Sequence, residues 1–205
     1  MNYNKITGED VIKKVEKALA KNGFIPEVVS TKALALSRIK EIIKDGASVM
    51  NGASRTLEEI GFINYLKEGK HGWKNLHEAV LNEKDLAKKM LLRKQSVLSD
   101  YYLGSAHALT EKGELVIASG SGSQLPHLVF TSPNIILVVG TQKITPNIDT
   151  ALARLKEYVF PLEDARMKEA GMGGSIISKV LIINCEPAFS QRKVHIILVK
   201  EKLGF

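Results

Sequence analysis

The segment that most constrains the fold is Asn134-Ile-Ile-Leu-Val-Val-Gly140, with five aliphatic residues in succession. A strand that is apolar on both faces must be covered on both. That arrangement belongs to α/β folds built on a buried parallel sheet. Lys179 to Asn184 and Val194 to Lys200 read as two further strands. Ala47-Ser-Val-Met50 is too short for a helix and reads as a buried strand. Ala106 to Leu109 and Leu115 to Ala118 flank Glu111-Lys-Gly113 and read as a hairpin.

Helical signals fill the rest. Thr7-Gly-Glu-Asp10 reads as a capping box, followed by a stripe of Val11, Ile12, Val15 and Leu19 and a stop at Asn22-Gly23. A second helix is expected over Thr31 to Lys44. A second capping box, Thr56-x-x-Glu59, opens a helix through Leu57 and Ile60. Further helices are expected over Glu83 to Leu98, and from Thr145-Pro146 to about Tyr158. Residues 68–80 give no clear signal. With no repeat and no linker, residues 1–205 read as a single α/β domain. The expected fold is a three-layer sandwich with a mostly parallel sheet, in which residues 1–45 form a helical N-terminal portion.

Composition narrows the function. Lys+Arg number 29 and Asp+Glu 22, for a net charge of +7. The lysines are spread along the chain beside acids, and the densest basic stretch, Lys88-Lys89 with Arg93-Lys94, has helical spacing. A solvated helix face explains it better than a nucleic-acid stripe. A single cysteine, Cys185, excludes a disulfide framework and an iron–sulfur cluster held by this chain alone. It follows a buried-looking strand and reads as an inert core thiol. The five histidines lack matching carboxylate spacing, so no metal site is expected. No signal peptide or membrane span is legible, and a cytoplasmic location is expected.

Three segments fall where α/β sheets bind ligands, beyond the carboxyl ends of strands. In Asn51-Gly-Ala-Ser-Arg-Thr56, the residues Asn51, Gly52, Ser54, Arg55 and Thr56 suit a phosphate or carboxylate. The same residues also suit a plain turn and helix cap. In Ser119-Gly-Ser-Gly-Ser-Gln124, glycines let the backbone approach a ligand and hydroxyls add donors. Ser119, Gly120, Ser121, Gly122, Gln124 and the nearby His127 are the candidates there. In the hairpin, Thr110 and Gly113 accompany His107 and Glu111, which form an acid/base pair if they share a strand face.

The stretch His107-Ala-Leu-Thr-Glu-Lys-Gly-Glu-Leu-Val-Ile-Ala118 resembles the signature of the lactate-utilisation (LUD) domain family. Gly122-Ser-Gln-Leu-Pro-His127, Val139-Gly140-x-x-Lys143-Ile-x-Pro146 and Gly52-x-Ser54-x-Thr56-Leu57-x-Glu59-Ile60-Gly61 extend the likeness over nearly the whole chain. Two features depart from the family pattern: Lys112 and Glu114 stand where it has threonines, and the Ser-Gly loop carries no arginine. The resemblance implies a fold like that of coenzyme A transferases and ribose-5-phosphate isomerase. It also implies an accessory role in bacterial oxidation of L-lactate to pyruvate. The iron–sulfur clusters would sit in partner subunits and no cofactor in this chain, whose own ligand would be a small carboxylate or phosphate. Lys143 joins the ligand-binding candidates on this basis. The alternative is a stand-alone transferase or isomerase acting on acyl-coenzyme A or sugar phosphates, with Glu111 as nucleophile or base. Neither nucleic acid nor membrane is an expected partner, and a homo-oligomer is compatible with both readings.

Overall fold

The computed structural model describes residues 3–205. The elements run α1 (Glu9–Lys21), β1 (Ile25–Val29), α2 (Lys32–Ile42), β2 (Ser48–Asn51), α3 (Arg55–Glu59), α4 (Phe62–Lys67), β3 (Lys74–Asn75), α5 (Leu76–Asn82), α6 (Leu86–Gln95), β4 (Tyr101–Gly104). They continue as β5 (Ala108–Thr110), β6 (Leu115–Ser119), β7 (Asn134–Gly140), β8 (Ile144–Thr145), α7 (Ile148–Arg154), α8 (Phe160–Glu169), β9 (Lys179–Ile183) and β10 (Lys193–Val199). A six-stranded sheet has the order β1-β10-β7-β4-β2-β3, and every pairing in it is parallel. The α/β class and the parallel sheet are as the sequence reads. Strand β7 sits between β10 and β4, and six of its residues are buried.

The two faces of β7 enter two different cores. Ile136 and Val138 pack against α2, α3 and α4 through Ala35, Ile39, Leu57 and Phe62. Ile135, Leu137 and Val139 face α1 and a second sheet, β8-β5-β6-β9, through Leu19, Leu109, Leu115 and Ile117. The outer face of that small sheet is covered in turn by Ala151, Leu155 and Val159. Burial on both sides is what a continuous aliphatic strand needs, at roughly 25 cal/mol per Å² of apolar surface removed from water.

Several local readings are corrected. The N-terminal portion contains a strand, β1, because Ile25-Pro-Glu-Val-Val29 lies at the sheet edge, where Pro26 is tolerated. Thr7 does not cap α1; its hydroxyl donates to the Thr141 carbonyl at 2.8 Å. The cap of α3 is Ser54, which accepts from the Leu57 amide, so Thr56 lies inside the helix. Thr145 belongs to β8, and Asn147 caps α7 by accepting from the Thr150 amide. The expected stop at Tyr158 is instead a wide π turn, Leu155–Val159, and the helix resumes as α8 with Pro161 in its first turn. A wide turn accommodates the donor that proline lacks. Cys185 is exposed, because β9 is the outer strand of the small sheet and the chain leaves it at the surface. None of the residues of α6 is buried, as expected of a solvated face, although Arg93 leaves it to bond Ser123. Among the described residues no helix is long and apolar enough to cross a membrane.

Candidate functional site

A cleft of about 260 Å³ opens where β2, β4 and β7 end. Gly52 follows β2, Ser105 follows β4, and Lys143 lies just beyond β7. The small sheet reaches the same place with His107, at the start of β5, and Ser119, at the end of β6. The opposite wall comes from the π turn and α8, through Leu155, Phe160, Glu163 and Arg166.

Lys143 is only 3% exposed, and its ammonium meets three oxygens. It donates to Thr56 Oγ1 at 3.0 Å, Ser105 Oγ at 3.1 Å and the Ala106 carbonyl at 3.2 Å. No carboxylate pairs with it among the described residues. Burial pushes its pKa down to about 7, the Arg154 charge adds to this, and Glu59 opposes it. His107 accepts the Ala118 amide on Nδ1 at 3.1 Å, so the neutral ring carries its proton on Nε2. Burial, with Lys143 and Arg154 nearby, drives its pKa down to about 3. It is therefore a fixed neutral donor at physiological pH. Arg154 is fully buried behind it, donates to the His107 carbonyl and lies 5.2 Å from the Tyr158 ring centroid, while its Nε and Nη2 have no hydrogen-bond partner among the described residues.

Gly52 shows why a side chain is excluded from the first loop. A Cβ there would lie 2.5 Å from the Tyr102 hydroxyl and 3.2 Å from Gln124 Oε1. Tyr102 donates to that same Gln124 oxygen at 3.2 Å, and Gln124 donates to the Ala118 carbonyl at 2.9 Å. These bonds tie the loop at 119–124 to β4 and β6.

Of the sequence candidates, the cleft gathers Gly52, Ser54, Thr56 and Arg55 from the first loop. From the second it gathers Ser119, Gly120, Ser121 and Gln124, and it adds His107 and Lys143. Asn51, Thr110, Glu111, Gly113, Gly122 and His127 do not line it. Asn51 is buried at the end of β2, where its carbonyl meets His77 at 3.0 Å. His127 is buried against Tyr102, ring centroids 4.4 Å apart, and its Nδ1 meets Ser132 Oγ at 2.8 Å. The expected pairing of His107 with Glu111 does not form. The residues lie on either side of the short strand β5, roughly 13 Å of extended chain apart, and Glu111 instead pairs with Lys14 at 2.7 Å. Glu111→Gln should therefore cost under about 1 kcal/mol, the usual worth of an exposed pair. It should also leave cleft-ligand affinity unchanged by calorimetry. A large loss of affinity would return Glu111 to the site. The family departure at Glu114 is locally satisfied: its carboxylate accepts the Thr110 hydroxyl at 2.7 Å.

Arg93, Ser105, Glu163 and Arg166 were not legible as site residues. Arg93 reaches over from α6 to donate to Ser123 at 2.9 Å, bringing an arginine to a loop that has none of its own. The only sequence signal for it was the basic run on α6, which also fits a solvated face.

The sequence model of the LUD domain matches residues 12–199. The chain belongs to the LUD domain family. The crystal structure of a DUF162 family protein from Deinococcus radiodurans is similar in fold to this LUD domain chain, with a TM-score of 0.58 at 11% identity. The match covers 95% of this chain and 99% of that one. No curated protein matches this LUD domain chain. At the level of the family, the LUD domain supports a function related to lactate utilisation.

Proposed function

We propose that this LUD domain chain is a cluster-free component of the oxidation of L-lactate to pyruvate. It would work beside a partner that carries the iron–sulfur clusters and hold a small anionic ligand in its cleft. The observation that carries the anion reading is the lining: Arg55, Arg93, Lys143 and Arg166 face a single acidic side chain, Glu163. The single cysteine supports placing electron transfer in another subunit. The donors around the cleft suit an oxygen-rich ligand, and the neutral imidazole of His107 suits a ligand oxygen without delivering a proton. The alternative, a transferase or isomerase using Glu111, has that residue outside the cleft and bonded to Lys14.

The test is an oxygen-free pull-down of the tagged chain from lysate of its native source, with the visible spectrum recorded. A brown eluate containing a cysteine-rich companion and reducing an electron acceptor when L-lactate is added is the expected result. A colourless eluate of the chain alone, inert to lactate, overturns the subunit role.

A further inference from the structure

The cations of the cleft are not equally free. Arg55 is held by Glu58 and Glu59, and Arg166 by both oxygens of Glu163. Arg93 and Lys143 bond only to hydroxyls and a carbonyl among the described residues. Behind Lys143 stands Arg154, with two nitrogens that lack a hydrogen-bond partner among the described residues. Buried charge of one sign is expensive, several kcal/mol per ion, unless an opposite charge is supplied. Glu59, the acid that acts on Lys143, is already engaged: it accepts from Arg55 and from the Gly204 amide at 2.8 Å. An anion brought into the cleft would offset these charges and hold Lys143 in its protonated form.

The uncharged groups say more about that anion. His107 presents Nε2–H with no partner among the described residues, and Ser119 and Ser121 add hydroxyls to the lining. A set of convergent donors with two free cations matches a group that only accepts and carries two charges. A single carboxylate would answer one of the two.

We propose that the cleft binds a phosphomonoester, its phosphate held by Lys143, Arg93 and His107 and its carbon skeleton lying toward Phe160 and Ile177. This rests on the reading of the cleft as an anion site and is independent of the iron–sulfur partner.

The test is calorimetric titration of the full chain with glycerol 3-phosphate, inorganic phosphate, L-lactate and pyruvate between pH 5 and 9. The three organic probes share a three-carbon skeleton, so their anionic groups are compared directly. Glycerol 3-phosphate is expected to bind roughly tenfold or more tightly than the others. Its affinity should be bell-shaped. It rises as the phosphate takes its second charge near pH 6 and falls as Lys143 loses its proton above about 7. The charged neighbours of Lys143 are Arg154 on α7 and Glu59 on α3, and His107 stays neutral across this range. Lys143→Met should lower affinity about tenfold or more and abolish the alkaline limb, and Arg93→Ala should weaken binding with the limb intact. A thermal melt of each variant confirms folding. Tighter binding of lactate or pyruvate keeps the anion site but overturns the phosphomonoester, as does inorganic phosphate binding equally well. No binding by any probe overturns both.

Discussion

Acidification from pH 7 to pH 4 is expected to remove a large share of this protein's stability. His107 and His127 are held neutral by burial, with pKa values pushed down to about 3 and about 4. In the unfolded chain both titrate near 6.5. Below that pH the unfolded state takes up protons that the folded state refuses, so unfolding becomes easier as pH falls toward the folded values. By pH 4 the loss is roughly 3 kcal/mol from His107 and, allowing for partial solvent screening, roughly 2 from His127. A domain has about 5–15 kcal/mol in total. Urea midpoints measured from pH 7 to 4 should change little down to about 6.5 and then drop steeply. His127→Phe, which keeps a ring stacked on Tyr102, should flatten part of that slope. Midpoints that stay level to pH 4.5 would show that these imidazoles are not held neutral.

A large single-residue effect on stability is expected at Gly23. It ends α1 with φ +83°, a left-handed conformation that costs a residue with a Cβ roughly 1–2 kcal/mol. A Cβ there would also lie 2.1 Å from the Glu186 carbonyl oxygen, and backbone cannot move aside cheaply. That contact is part of the fold's closure, because the Glu186 amide donates to the Asn22 carbonyl at 2.8 Å. Gly23→Ala should therefore cost about 3–4 kcal/mol. Gly46 provides the control: its φ is +78°, but nothing lies within 4 Å of an added Cβ. Gly46→Ala should show the backbone cost alone, about 1–2 kcal/mol. Equal losses at the two sites in chemical denaturation would show that the Glu186 contact yields.

The candidate site was partly legible because small residues and hydroxyls mark loops that must come near a ligand. Gly52, Ser54, Thr56, Ser119 and Gln124 do line the cleft. His107 was found for a different role: strand alternation placed it on a face with Glu111, but β5 is too short to present both to one pocket. His127 follows a promising loop yet turns inward to stack on Tyr102. Nothing in the spacing of His127 distinguishes a cleft from a core, since both are reached from the same helical turn.

Sequence by itself determined the parallel α/β class, because Ile135 to Val139 leave no polar face and demand cover on both sides. It also determined the hairpin around Gly113, since that depends on local turn chemistry. The tertiary structure alone decided that β1 is an edge strand and that Arg93, Lys143 and Arg166 converge on one cleft. It alone decided that Arg154 and Lys143 are buried without a carboxylate ion-paired to either among the described residues. Periodicity fixes which face a residue occupies, whereas burial and charge compensation depend on which distant elements meet there.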